Sequence, residues 1–184
     1  MTVEMLEIVD ENDNVIGTAP RSEIHAKGLL HREVNVMFIT PKGDLIFQRR
    51  SKTKDVYPDL LDAAAGGHVD TGHSYDHTAF KETQEETGLT IQPEELHFIT
   101  KLRVDEPDTV KNVRNCAFRA IYGYVFDGSL DELKVETNQA EGFEAYPVSN
   151  MFAMSKDLAT QFAPRYVDKE AYDSVYQKLL TLVN

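Results

Sequence analysis

Residues 66–89 read GGHVDTGHSYDHTAFKETQEETGL, and the second half of that stretch decides how the chain is to be read. A short strand and a glycine-bearing polar loop lead into a helix. Ser74 stands where it would cap that helix, Asp76 falls in the first turn where the dipole favours an acid, and Gly88 supplies a left-handed stop. On such a helix Glu82, Glu85 and Glu86 occupy i, i+3 and i+4, an arc of roughly 100° at about 3.6 residues per turn. Carboxylates at these spacings repel one another. A hard divalent cation such as Mg²⁺ removes that repulsion and keeps room for phosphate oxygens. Taken alone, three acids near a helix end read more readily as a solvated face than as a metal site.

The rest of the chain sets the bounds. Its 184 residues, 41% hydrophobic and 27% charged, are enough for one globular domain with its own core, and no repeat or low-complexity linker divides residues 1–184. No apolar run reaches the length of a bilayer span, and the acidic start MTVEMLEIVDENDN is unlike a secretory leader, so a cytoplasmic protein with no membrane partner is expected. Cys116 is the single cysteine, which excludes an intramolecular disulfide and a multi-thiolate zinc site. With 31 Asp and Glu against 19 Lys and Arg, general nucleic-acid binding is disfavoured. Against this acidic background RRSKTK, residues 49–54, is a concentrated positive patch.

The periodicities predict an α+β fold. LEIVDENDNVIGTAP reads as two strands around a turn at Asn12-Asp13-Asn14, followed by a short helix near Arg21–Ala26. VNVMFIT and DLIFQRR form a hairpin through Pro41–Asp44; ELHFITKLRV and NCAFRAIYGYVF give two longer strands and FEAYPV a last one. EAYDSVYQKLLTLV places Tyr172, Val175, Tyr176, Leu179, Leu180 and Val183 at helical spacing, a packing helix. Strands and helices mix without strict βαβ alternation, so a mixed sheet sandwiched by helices is expected.

The opening stretch resembles the Nudix box, G-x5-E-x7-R-E-U-x-E-E-x-G-U with U a bulky aliphatic residue. This chain supplies Gly67, His73, Lys81, Glu82, Thr83, Glu85, Glu86, Gly88 and Leu89 at those spacings. The resemblance implies a Nudix-type α/β/α sandwich and a loop–helix–loop that holds Mg²⁺ or Mn²⁺ against a diphosphate. Glu82, Glu85 and Glu86 take the metal and catalytic positions, with the Gly67 carbonyl as a further ligand. Three positions depart: His73 replaces a glutamate, Lys81 an arginine and Thr83 an aliphatic residue. In the family that glutamate and arginine are expected to pair and brace loop to helix; His73 and Lys81 cannot.

HAKGLLHR, QRRSKTKDVYPD and GGHV extend the resemblance to the isopentenyl-diphosphate isomerase-like branch of the Nudix proteins. It implies that Arg50 and Lys54 grip the diphosphate, a role that a guanidinium and an ammonium suit. The isomerase's catalytic cysteine falls on Gly66, which cannot move a proton, and Asn112 and Arg114 stand where its strand carries acids. His25, His31 and His68 persist without carboxylate partners, and structural or polar roles are favoured for them over a second metal site. Glu141 and Glu144 precede the last predicted strand, and Glu141 matches best by spacing the further acid that several Nudix hydrolases keep there to activate water. Tyr57, Phe162 and Tyr166 could stack on a base or pack.

The expectation is therefore a Mg²⁺-dependent hydrolase of a nucleoside diphosphate linked to another group. A catalytically silent Nudix sensor and an isoprenoid diphosphate isomerase are the alternatives. Oligomeric state is open in the residues themselves; family habit implies a homodimer.

Overall fold

The computed structural model describes residues 3–54, 56–108, 113–135 and 139–184. A hairpin of β1 (Met5–Val9) and β2 (Val15–Pro20) leads into α1 (Arg21–Lys27). The turn between the strands is built by Asp10, whose side chain accepts from the backbone of Asn12 and Asn14 at 2.9 Å each. Next come β3 (His31–Ile39), β4 (Asp44–Arg50), β5 (Leu61–Ala63), β6 (Ala65–His68) and α2 (Tyr75–Thr87), then the long antiparallel pair β7 (His97–Asp108) and β8 (Val113–Val125). β9 (Ala140–Pro147), two short helices α3 (Val148–Phe152) and α4 (Lys156–Ala159), and α5 (Lys169–Leu180) complete the chain.

Seven strands form one mixed sheet in the order β5-β4-β3-β8-β7, with β9 beside β4 and β6 beside β3. β3 and β8 run parallel; the other neighbours are antiparallel. From Val36 to Ile39 β3 is an unbroken apolar run because both its faces are covered there. Val34, Val36 and Phe38 pack with Ala79 of α2, while Met37 and Ile39 pack with Tyr172, Val175, Tyr176 and Leu179 of α5. The helix-sheet-helix layering is the α+β sandwich expected from the sequence.

Two features of this sheet make room for a site. Along one edge β3 pairs with β4 only at Phe38 and Ile39, then with β6 from Glu33 to Val36. The sheet forks there, and a cavity opens in the fork. Second, α2 lies against the sheet through small residues. Thr78, Thr83 and Thr87 are buried, and each hydroxyl donates to the carbonyl four residues back, Thr83 to Ala79 at 2.7 Å. That satisfies the polar atom and explains how threonine stands where the box has an aliphatic residue. Ser74 caps the helix by accepting from the His77 backbone N–H, and Gly88 ends it at φ 68°.

β9 begins earlier than the residue pattern suggests. Gly142, at φ 156°, lies where the pairing with β4 slips between Arg49 and Arg50, and this bulge carries the strand back to Ala140. Glu141 and Glu144 therefore lie within the last strand, not ahead of it. No helix among the described residues is long and apolar enough to cross a membrane.

Candidate active site

The glutamates of α2 meet β6 where its glycines leave space. A Cβ on Gly67 would lie 2.7 Å from the Glu82 carboxyl carbon, so only glycine lets that carboxylate approach the strand. The Gly66 backbone N–H donates to Glu86 Oε2 at 3.1 Å and aims Glu86 into the cavity. Burial, reinforced by the neighbouring Glu82, pushes the Glu86 carboxyl up to about 8. Buried, crowded oxygen donors are what a hard divalent cation fits, and Glu82, Glu86 and the Gly67 backbone converge on one place. Glu85 is more exposed, its carboxylate 3.8 Å from Lys81 Nζ.

A side chain at position 66 has no room. Its Cβ would stand 2.7 Å from the Val34 carbonyl oxygen and 2.9 Å from Asn35 Oδ1. We expect Gly66→Ala to cost about 1–3 kcal/mol in thermal or urea unfolding, the usual penalty for overfilling a packed site. An unchanged unfolding midpoint would show that β3 yields freely there.

Loop and helix are braced by Lys81, which stands at the box's arginine position, but its acid does not come from the box's glutamate position. Lys81 Nζ lies 3.3 Å from Asp70 Oδ2, 3.9 Å from Glu82 and 3.8 Å from Glu85, so Asp70 supplies the acid that position 73 lacks. His73 is exposed and its ring stands 4.4 Å from that of His77.

The cavity beside this face has a volume of about 210 Å³ and is walled by Arg50, Lys54, Tyr57, Asp62, Glu86, Glu106 and Arg165 among others. Arg50 and Lys54, assigned from the sequence to diphosphate binding, are thus on its wall. Arg50 donates to Asp62 Oδ2 at 3.0 Å and to the Val56 carbonyl at 2.9 Å; Lys54 donates to Gln139 Oε1. Of the aromatic candidates, Phe162 and Tyr166 belong to the core, whereas half-buried Tyr57 faces the cavity.

Beneath the site runs an ion-pair chain that the sequence motifs do not announce. Arg119 on β8 is fully buried and donates to Glu33 Oε1 at 2.5 Å and to both oxygens of Glu106 at 2.9 and 3.0 Å. Burial alone would raise the Glu33 carboxyl, but Arg119 foremost, then Arg165, hold it down to about 2. Asn115, not Arg114, faces the cavity from β8 and donates to Glu33 at 3.2 Å. Arg114 points outward and is bonded to Asp105, while Asn112 lies outside the described residues. Cys116 is buried, as expected of a small apolar side chain.

His25, His31 and His68 come together, which their sequence positions do not announce. Their ring centroids are 5.1–5.2 Å apart, and one nitrogen from each lies within 4.8 Å of the others. His31 Nδ1 donates to the Leu29 carbonyl at 3.0 Å, which leaves Nε2 as a buried lone pair with no hydrogen-bond partner among the described residues. Burial lowers all three, His25 to about 4 and His68 to about 3, so the rings are neutral at pH 7. Three neutral, converging imidazoles are a donor set for a borderline transition metal. Glu141 is not part of either group: it is exposed at the β9 bulge and outside the cavity wall.

The NUDIX domain family matches residues 29–168. An uncharacterized Nudix hydrolase of Streptomyces coelicolor is 43% identical over 103 residues, 56% of either chain. Another, from Clostridium acetobutylicum, is 30% identical over 145 residues, 77% of this chain and 69% of the relative. The chain spans about half the length of several of these relatives. Among solved structures, DR0079 from Deinococcus radiodurans superposes with a TM-score of 0.71 over 94% of this chain and 98% of its own, at 22% identity. The NUDIX domain of Shewanella oneidensis NrtR complexed with ADP ribose does so at 0.55, over 88% and 99%, at 12% identity. These structural likenesses concern the fold. The family match covers most of the chain, and together with the box spacing seated on α2 it establishes that the chain belongs to the NUDIX domain family.

Proposed function

We propose that residues 1–184 form one Nudix domain acting as a Mg²⁺-dependent hydrolase, which cleaves the diphosphate of a nucleoside diphosphate linked to another group. The observation that carries this reading is the meeting of Glu82 and Glu86 with the glycine cradle of β6 at the edge of a cavity walled by Arg50 and Lys54. A divalent cation held there would neutralise phosphate oxygens and make water a stronger acid. Glu82, Glu85 and Glu86 are its carboxylate ligands and the Gly67 carbonyl a backbone ligand; Arg50 and Lys54 orient the diphosphate. Glu141, in solvent at the bulge, would join as a water-activating acid only once substrate covers it. The NrtR domain with bound ADP ribose supports a nucleotide ligand.

Cation binding at this face must displace the proton that Glu86 holds at neutral pH. Below pH 8 the apparent Mg²⁺ affinity should fall about tenfold per pH unit, with about one proton released per ion at pH 7. Calorimetry in buffers of different ionisation heat reads that proton directly; binding without proton release would contradict the assignment.

The isomerase alternative within the branch is disfavoured by Gly66, which has no side chain for proton transfer and no space for one. The histidine cluster favours a second cation, of the zinc or manganese kind, beside the first. Elemental analysis of the purified protein and product identification on nucleotide conjugates, with Mg²⁺ and with chelator, test both statements. A phosphorylated product lost on chelation supports the hydrolase. Binding without turnover supports a sensor, and isomer interconversion without phosphate release supports the isomerase.

A further inference from the structure

Arg165 lies in a short 3₁₀ turn, Pro164–Val167, far along the chain from the box, and reaches the same cavity wall as Arg50 and Glu86. Its side chain is 13% exposed. Its Nε has no hydrogen-bond partner among the described residues. Its Nη atoms come no nearer than 3.8 Å to Asp62 Oδ1 and 3.6 Å to Glu106 Oε2, beyond hydrogen-bond reach.

Neither carboxylate is free to close that gap. Asp62 Oδ1 accepts from the Tyr166 hydroxyl at 2.6 Å and from the Ala63 N–H at 2.9 Å, and Oδ2 accepts from Arg50. Both oxygens of Glu106 are held by Arg119. The Tyr57 ring, its centroid 5.3 Å from the guanidinium carbon, supports the cation from the side. Burial works against this charge, but Asp62 and Glu106 outweigh it and the guanidinium stays protonated. Arg119, fully buried, has three short bonds; Arg165 has long contacts to Asp62 and Glu106 and the Tyr57 hydroxyl beside it, and its Nε is unpartnered among the described residues, on the wall of a cavity.

We propose that Arg165 is a substrate-binding residue that receives phosphate oxygens of the diphosphate through its guanidinium fork. It extends the grip assigned to Arg50 and Lys54 and rests on the reading of this cavity as a diphosphate site. The fork geometry suits two oxygens of one phosphoryl group, which a lysine would meet only as a point charge.

The test is inorganic pyrophosphate titrated into the metal-free protein with chelator present, followed by calorimetry and by the arginine Nε–H resonances in NMR. The Arg165 Nε–H signal is expected to shift on saturation of the wild type. Pyrophosphate affinity should fall about 10- to 100-fold in Arg165→Gln, the range of a lost charge-assisted pair of bonds, and recover in part in Arg165→Lys. An unmoved resonance, or equal affinity in wild type and Arg165→Gln, overturns the proposal. So does a wild type that binds no pyrophosphate. The NMR arm needs no variant, so a failure of Arg165→Gln to fold leaves the test intact. Mg²⁺-dependent turnover with pyrophosphate binding indifferent to Arg165 sinks this inference alone. Binding that needs Arg165 in a protein that turns nothing over sinks the hydrolase alone.

Discussion

Glu86→Gln is expected to lower Mg²⁺-dependent turnover by about a hundredfold or more while leaving the fold in place. Glutamine has the volume of glutamate, and its amide oxygen can still accept the Gly66 N–H that aims residue 86 into the cavity. What it lacks is the second anionic oxygen that a hard cation prefers. The same substitution should change stability with a definite pH signature. The folded-state Glu86 carboxyl stands near 8, above its ordinary 4.5, so the folded chain holds a proton that the unfolded chain has released between those values. Wild-type stability without metal therefore falls as pH rises from about 4.5 to about 8. Glutamine has no proton to lose. The variant's advantage in metal-free thermal melts should grow across that window and level off above it. A variant that unfolds earlier than wild type at pH 9 would show that Glu86 is held by groups other than those described.

Arg119→Met should be the most damaging substitution for the fold, costing about 3–5 kcal/mol. Removing the guanidinium strands two carboxylates, Glu33 and Glu106, in a buried place from which three charge-assisted bonds have gone. For a chain of this size the loss corresponds to a fall in melting temperature on the order of 10 °C. Glu33, depressed to about 2 in the wild type, contributes stability that is present above pH 4.5 and lost as pH falls toward 2. That acid limb should shrink in Arg119→Met, because Glu33 then has less reason to stay ionised. Adding Glu33→Gln to Arg119→Met should return part of the stability, since it removes one of the stranded charges. Equal melting temperatures for wild type and Arg119→Met would mean that the buried ion pairs contribute nothing net.

These two substitutions also mark what could be read from the residues and what could not. Glu86 was visible because the box packs its meaning into one helix: i, i+3 and i+4 spacing puts the acids on a face, and Ser74 and Gly88 bound that helix as local rules require. The hairpins and α5 were legible for the same reason, that their periodicity is local. Arg119, Glu33, Glu106 and Arg165 come from three strands and a distant turn, and a lone charge in a strand ordinarily reads as its solvated face. A hint was present in REVNV, where Glu33 interrupts an apolar run two residues after His31. The Asp70–Lys81 brace was hidden because the box directs attention to position 73. Glu141 fell on the wrong side of a strand boundary because AEG has no alternation; only the bulge at Gly142 keeps it in the sheet. The histidines met through the antiparallel pairing of β3 with β6 and the packing of α1, which spacing along the chain does not encode.

The most direct test of the central claim is hydrolysis in ¹⁸O-labelled water, followed by phosphorus-31 NMR, with wild-type protein, Mg²⁺ and a pool of nucleoside diphosphate conjugates. Water attack on the diphosphate places one labelled oxygen on a single phosphorylated product, visible as a small upfield shift of that signal, and chelation abolishes it. Products that carry no label would contradict the account, as would a pool left unchanged or one isomerised with its phosphates intact.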